Sequence, residues 1–169
     1  LIVLDGWSKA YSMTGWRMGW SVWPEKLIPH VTKLAINSFS CVNAPSQFAG
    51  IAALDGPDDS IHHMMEKFDQ RRKLIHKGLN DLPGVESSLP GGAFYVFPAF
   101  SSYLGRKANH KILKDSFDIS EYILGSARVV TVAGDGFGAP GHIRFSYATS
   151  KVIIQKGIER VKTALEKII

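Results

Sequence analysis

Lys9 and Arg17 stand eight residues apart in the stretch WSKAYSMTGWRMGW, residues 7–20 of a 169-residue chain. A lysine amine becomes a nucleophile when apolar surroundings or a neighbouring cation lower its pKa. Lys9 has a serine before it, small and aromatic residues around it, and the apolar run LIVL upstream. That run reads as a strand, and the carboxyl ends of strands are where open α/β sheets bind ligands. An amine in that place suits a Schiff base with an aldehyde. Arg17 offers a bidentate fork and Ser8 a hydroxyl, two groups that hold phosphate. One small molecule that carries both an aldehyde and a phosphate is pyridoxal phosphate. On residue types alone, a solvated lysine at a strand end is the competing reading.

The composition bounds the alternatives. A hydrophobic fraction of 45% with 21% charged residues is that of a globular protein. No apolar run reaches the length of a membrane span, and LIVLDG lacks the charged flank of a signal peptide. The single cysteine, Cys41, excludes an internal disulfide and any multi-cysteine metal site. Cys41 itself reads as a small buried hydrophobe. These features suit a cytoplasmic protein. The net charge of +5 comes from bases interspersed with acids, as in MMEKFDQRRK. That is the pattern of solvated helix faces, and it argues against a nucleic-acid partner.

Apolar periodicity supplies the elements that must position Lys9 and Arg17. Residues 1–4 and 18–23 read as strands. LIVL is apolar on both faces, which places it in a parallel sheet covered by helices. Pro24 opens a helix through about residue 37. Ser46 caps the next, which ends near Gly56. A long helix follows Pro57, with Ile61, Met65, Phe68, Ile75, Leu79 and Leu82 in one apolar stripe. Beyond Pro83-Gly84 the strands VESSL and AFYVF, a short helix over residues 118–125, the strand ARVVTVA, a glycine loop and the strand HIRFSYA are expected. Ser150 then caps a helix whose Ile154, Ile158, Val161, Leu165 and Ile168 share a face. The boundary lies near residues 54–59, giving residues 1–56 as part of a larger sheet domain and 57–169 as an α+β unit. The chain opens directly inside a strand, so it reads as the back part of a longer protein.

SKAYSMTGWRMGW resembles the cofactor-lysine signature of the class I/II aminotransferases, the fold-type I pyridoxal-phosphate enzymes. PGGAFYVFP resembles that family's small-domain hairpin. GDGFGAPGHIRFSYATS resembles the loop and strand that carry its substrate-carboxylate arginine. The three motifs occur in the family's order and at about its spacing, and the likeness covers nearly the whole chain. The resemblance implies an α/β fold: part of the large domain's parallel sheet over residues 1–56, and the small C-terminal domain over 57–169. It makes Lys9 the Schiff-base lysine, which also shuttles the substrate's α-proton. It makes Ser8 and Arg17 phosphate ligands. Arg144 becomes the clamp for the substrate α-carboxylate, and Asn43 part of a loop that approaches a neighbouring subunit's site.

The implied activity is transfer of an amino group between an amino acid and a 2-oxo acid, by an aspartate-type or broad-specificity enzyme. Pyridoxal phosphate is the implied cofactor and a homodimer the implied assembly, with no metal, nucleic acid or membrane. A lyase or decarboxylase using the same cofactor, and a non-catalytic folded piece, are the competing readings. The family's enzymes carry an earlier region with further cofactor contacts, so the chain by itself is expected to be inactive. Three departures stand out: Gly6 replaces a second phosphate-binding serine, Trp7 is bulkier than usual, and Ala133 replaces a proline before the glycine loop.

Other residues have simpler readings. GDGFGAPG is followed by a strand, which excludes a dinucleotide loop. His62, His63, His76 and His110 read as surface or boundary residues, and Trp16 and Trp20 as packing residues. His142 and Arg144 share a strand face, whereas Phe94 and Tyr95 point to opposite faces.

Overall fold

A computed structural model describes all residues, Leu1–Ile169, as two compact units, Leu1–Met64 and Met65–Ile169. In the first unit, β1 (Val3–Asp5) pairs with β2 (Trp20–Val22), and helices α1 (Ile28–Phe39) and α2 (Ala44–Asp55) follow. The two strands are antiparallel, with Val3 opposite Val22 and Asp5 opposite Trp20. This corrects the parallel placement of LIVL. The connection between the strands is a chain of turns and one short 3-10 turn, without the crossover helix that a parallel neighbour requires. The α/β character of the chain is unaffected.

Each departure in the first unit has a local cause. Glu25–Leu27 form a 3-10 turn ahead of α1, and Pro24 serves as its N-cap. The cap of α2 is Asn43 rather than Ser46: the Asn43 side chain accepts the Ser46 N–H at 3.0 Å. Trp7 donates its indole N–H to Gly50 O at 3.2 Å, and a side chain at Gly50 would meet the indole ring at 3.4 Å. The bulk of Trp7 is thus accommodated by a glycine on α2. Cys41, Trp16 and Trp20 are exposed, contrary to their sequence readings.

Helix α3 (Asp59–Asn80) spans the division between the units. Its stripe is buried at Ile75 and Leu79, whereas Met65 is exposed. The second unit continues with β3 (Tyr95–Val96), the hairpin β4 (Lys107–Ala108) and β5 (Lys111–Ile112), α4 (Ser116–Ala127), β6 (Val132–Ala133), β7 (Ile143–Ser146) and α5 (Lys151–Leu165). Its central sheet has the order β3-β7-β6, all antiparallel. Helix α4 packs on β6, β7 and α5. The core joins Ile75 and Leu79 of α3, Val96, Ile143 and Phe145 of the sheet, Ile119 and Ile123 of α4, and Ile154, Val161 and Leu165 of α5.

Two expected strands are shorter than the apolar pattern suggests, because side chains take their backbone groups. VESSL makes a single bridge, Glu86 to Ala99. Beyond it, Asn80 Oδ1 accepts the Ser87 N–H at 2.8 Å, and Asn80 Nδ2 donates to Ser87 O at 3.0 Å. In ARVVTVA, Arg128 is the left-handed cap of α4 and Ser120 Oγ donates to Thr131 O, so only Val132–Ala133 join the ladder. The short helix is longer than expected: Asp115 caps it by accepting the Asp118 N–H at 2.9 Å.

Candidate functional site

In the first unit the chain leaves β1 through a turn wound on Trp7. Trp7 O accepts the Tyr11 N–H at 3.2 Å, and Lys9 O accepts the Ser12 N–H at 3.1 Å. Ser8 is half-buried and Lys9 exposed in this turn. Gly6 is fixed by close approach: a Cβ there would stand 2.9 Å from Met18 O and 3.1 Å from Gly19 Cα. The chain then passes through Thr14–Trp16 and reaches Arg17 in the left-handed region, φ 57°. A non-glycine residue there is held against a cost of about 1–2 kcal/mol. Arg17 Nη1 donates to Thr14 O at 2.9 Å, which folds the side chain back over its own turn.

Arg17 lines a cavity of about 830 Å³ together with Ser12, Trp16, Cys41, Asn43 and Ser46. The guanidinium keeps further donors beyond the one given to Thr14 O. Asn43 commits its carboxamide oxygen to α2, so its NH₂ remains as a donor. The structure therefore brings together Arg17 and Asn43. Ser8 and Lys9 lie on the same β1-to-β2 connection but are not among the residues that line the cavity. Ser12 and Ser46 are polar lining residues that sequence reading did not single out as site residues; nothing in their spacing marks them.

Arg144 lies in the second unit, on β7. Its neighbours Ile143 and Phe145 point into the core, so alternation sends Arg144 to the opposite face. Tyr95 occupies that face on β3, and Val132 is the register partner of Arg144 on β6. The Arg144 Cζ sits 4.4 Å from the Tyr95 ring centroid and 4.6 Å from that of Phe137. Phe137 comes from the glycine loop, where Gly134–Phe137 form a 3-10 turn. Gly134 is obligatory there, since a Cβ would collide with Ala139 O and with His142 O.

The row of rings continues beyond Phe137. Phe97 meets Phe137 edge-on at 6.0 Å and His142 at 5.3 Å. None of the five ion pairs in the chain includes Arg144. Its in-plane N–H donors are therefore not taken by a carboxylate of this chain. Phe94 packs against the core, but its ring also lies 4.4 Å from that of Tyr95, so the two do not point to opposite faces as alternation predicts; Phe94 precedes β3 and is not held to the strand's period of two. The sequence left open which of Phe94 and Tyr95 looks toward a site, and nothing in the loop sequence marks Phe137.

These features define a mixed α/β protein with small antiparallel sheets, one exposed arginine beside a cavity and another held between rings. The family described as aminotransferase class I and II matches residues 1–161. Aspartate aminotransferase of Rhizobium meliloti is 37% identical over 168 residues, covering 99% of this chain and 41% of that protein. The crystal structure of aspartate aminotransferase from Rhizobium meliloti superposes with a TM-score of 0.96 at 36% identity, over 99% of this chain and 42% of the other. An aromatic aminotransferase of Pyrococcus horikoshii gives a TM-score of 0.88 at 32% identity, over 98% and 43%. The chain belongs to the class I and II aminotransferase family. It spans about two fifths of the length of the curated relatives it matches (41% for the first).

Proposed function

We propose that this chain is the C-terminal part of a pyridoxal-phosphate-dependent aminotransferase that moves an amino group between an amino acid and a 2-oxo acid. Residues 1–56 would belong to its cofactor-binding large domain and 57–169 to its small domain. The observation that carries the reading is the aromatic-held Arg144, a guanidinium without a carboxylate partner in the chain, within a fold matched at a TM-score of 0.96 by an aspartate aminotransferase. Names among the relatives include aspartate and aspartate/prephenate aminotransferases, so acidic amino acids are the substrate class favoured here.

The residues present fit the cofactor. Arg17 is a permanent cation on a cavity lined by hydroxyls and an amide, a donor set suited to a phosphate dianion. Ser8 would add a hydroxyl to the phosphate, and Lys9 would hold the cofactor covalently through its amine. When bound, pyridoxal phosphate supplies an electron sink for the bonds at the substrate's α-carbon. Lys9 would carry the proton from that carbon to the cofactor's C4′, and would make the same transfer in reverse with the 2-oxo acid. Arg144 would bind the α-carboxylate by its fork, and Asn43 would donate from the loop before α2. The enzyme would act as a homodimer in the cytoplasm. The composition is compatible with that location, and no helix is long and apolar enough to cross a membrane.

Borohydride reduction of the holoenzyme followed by peptide mapping tests the assignment. Label on Lys9, and loss of transamination in Lys9→Ala, are expected. Label on another lysine, or normal turnover of Lys9→Ala, would overturn it.

A further inference from the structure

The outer face of the β3-β7-β6 sheet holds more than a carboxylate-binding arginine. Tyr95 and Phe137 come from different segments, a strand and a glycine loop, yet both rings lie within 5 Å of the Arg144 Cζ (4.4 and 4.6 Å). A cation over an aromatic face within about 6 Å of its centroid is attracted by the ring quadrupole. A ring stacked on a guanidinium face leaves the N–H edges in its plane open. Those edges are what a planar carboxylate engages.

We propose that Tyr95 and Phe137 are positioning residues that fix the plane of the Arg144 guanidinium and so set its affinity for carboxylate substrates. This rests on the carboxylate-clamp reading of Arg144 given above. An arginine on a strand normally samples many rotamers, and ordering it on binding costs conformational entropy. Two rings that hold the guanidinium beforehand remove part of that cost. Their ring carbons also take the place of water beside the guanidinium. Phe137 is itself supported: Phe97 meets its edge, and the loop that carries it is closed by the Gly134 N–H to His142 O hydrogen bond at 2.8 Å. Nothing in this arrangement touches the reaction centre chemically, so its effect falls on substrate binding.

The test compares Tyr95→Leu and Phe137→Leu with the ring-preserving Tyr95→Phe and Phe137→Tyr in the holoenzyme. Leucine keeps apolar bulk and removes the quadrupole. Each leucine variant is expected to raise KM for the amino acid and for the 2-oxo acid by about two- to fivefold. The visible cofactor absorbance and kcat should stay close to their original values. The ring-preserving variants should bring KM back towards the parent. Arg144→Lys, measured alongside, separates the two ideas. If Arg144→Lys weakens substrate binding but both leucine variants leave KM unchanged, the positioning role is wrong and the clamp stands. If Arg144→Lys leaves substrate binding unchanged, the clamp is wrong and the positioning role falls with it. Equal loss of cofactor, kcat and KM in the leucine and ring-preserving variants would mark Tyr95 and Phe137 as purely structural and overturn the proposal.

Discussion

Asp135 accepts the Ser116 backbone N–H at 3.0 Å, and so ties the glycine loop to the first turn of α4. The link is doubled in the other direction, because Ser116 Oγ accepts the Gly141 N–H at 2.8 Å. Ser116 is fully buried, so its N–H has no water to fall back on. Asp135→Ala should lower stability by about 1–3 kcal/mol, the cost of a buried donor left unsatisfied. Urea unfolding followed by circular dichroism reads this as a shift in midpoint at constant m-value. A midpoint within error of the parent would show that the loop is not held through Asp135.

Gly6→Ser would supply the serine that the family resemblance implies at this position and that this chain lacks. Here it should not add a phosphate contact. The new Cβ would stand 2.9 Å from the Met18 carbonyl oxygen, a backbone atom that cannot swing aside. Overpacking of this kind costs about 1–3 kcal/mol. The expected result is a lower unfolding temperature and pyridoxal-phosphate affinity no better than the parent's, measured by absorbance titration. Tighter cofactor binding with unchanged stability would contradict the close approach of Gly6 to the β2 segment.

Acid should weaken the hairpin-to-α4 junction. Lys111 Nζ, 2.6 Å from Asp118 Oδ1, holds that carboxyl below its ordinary value of 3.8, and the Lys114 backbone N–H adds to the effect. The folded-state pKa is thus lower than the unfolded one. The stability this provides is present above the ordinary value and is lost as pH falls through the folded value. Asp118→Asn should flatten the acid limb of a stability-versus-pH curve and leave the neutral region nearly parallel to the parent. The same acid limb in both proteins would remove Asp118 from the account.

The first unit should associate when these 169 residues are expressed by themselves. Helices α1 and α2 expose Leu34, Ile36, Phe39, Phe48, Ile51 and Leu54, and β1 exposes Leu4. Exposed apolar surface on this scale favours association. Sedimentation velocity should show species larger than the 18.6 kDa monomer, reduced by Leu34→Glu with Phe48→Glu. A concentration-independent monomer would count against this, and transamination by that monomer would show that these residues carry a complete site.

Much of this architecture is legible in the sequence because periodicity reports burial. The spacing of Ile154, Val161 and Leu165 placed α5 on the core, and Ser150 does cap it through the Ile153 N–H. What escaped was decided by contacts distant in sequence. VESSL has a strand's composition, but Asn80 claims the backbone of Ser87. LIVL has a buried strand's composition, yet its partner runs antiparallel, a fact set by the connection and not by the strand. At the candidate sites, Arg17 and Arg144 were visible through their motifs. The exposed Cys41 beside Arg17 and the ring of Phe137 on Arg144 were not, because both depend on how loops fold.

Adjacent residues of β3 and β7 have separate duties: Val96, Ile143 and Phe145 face inward, and Tyr95 and Arg144 face out. One consequence is evolutionary. Substitutions on the outward set can change the surroundings of Arg144 while the inward set goes on specifying the same sheet. Divergence of that outer surface then needs no new architecture, only drift at every second position of two short strands and in the glycine loop that borders them.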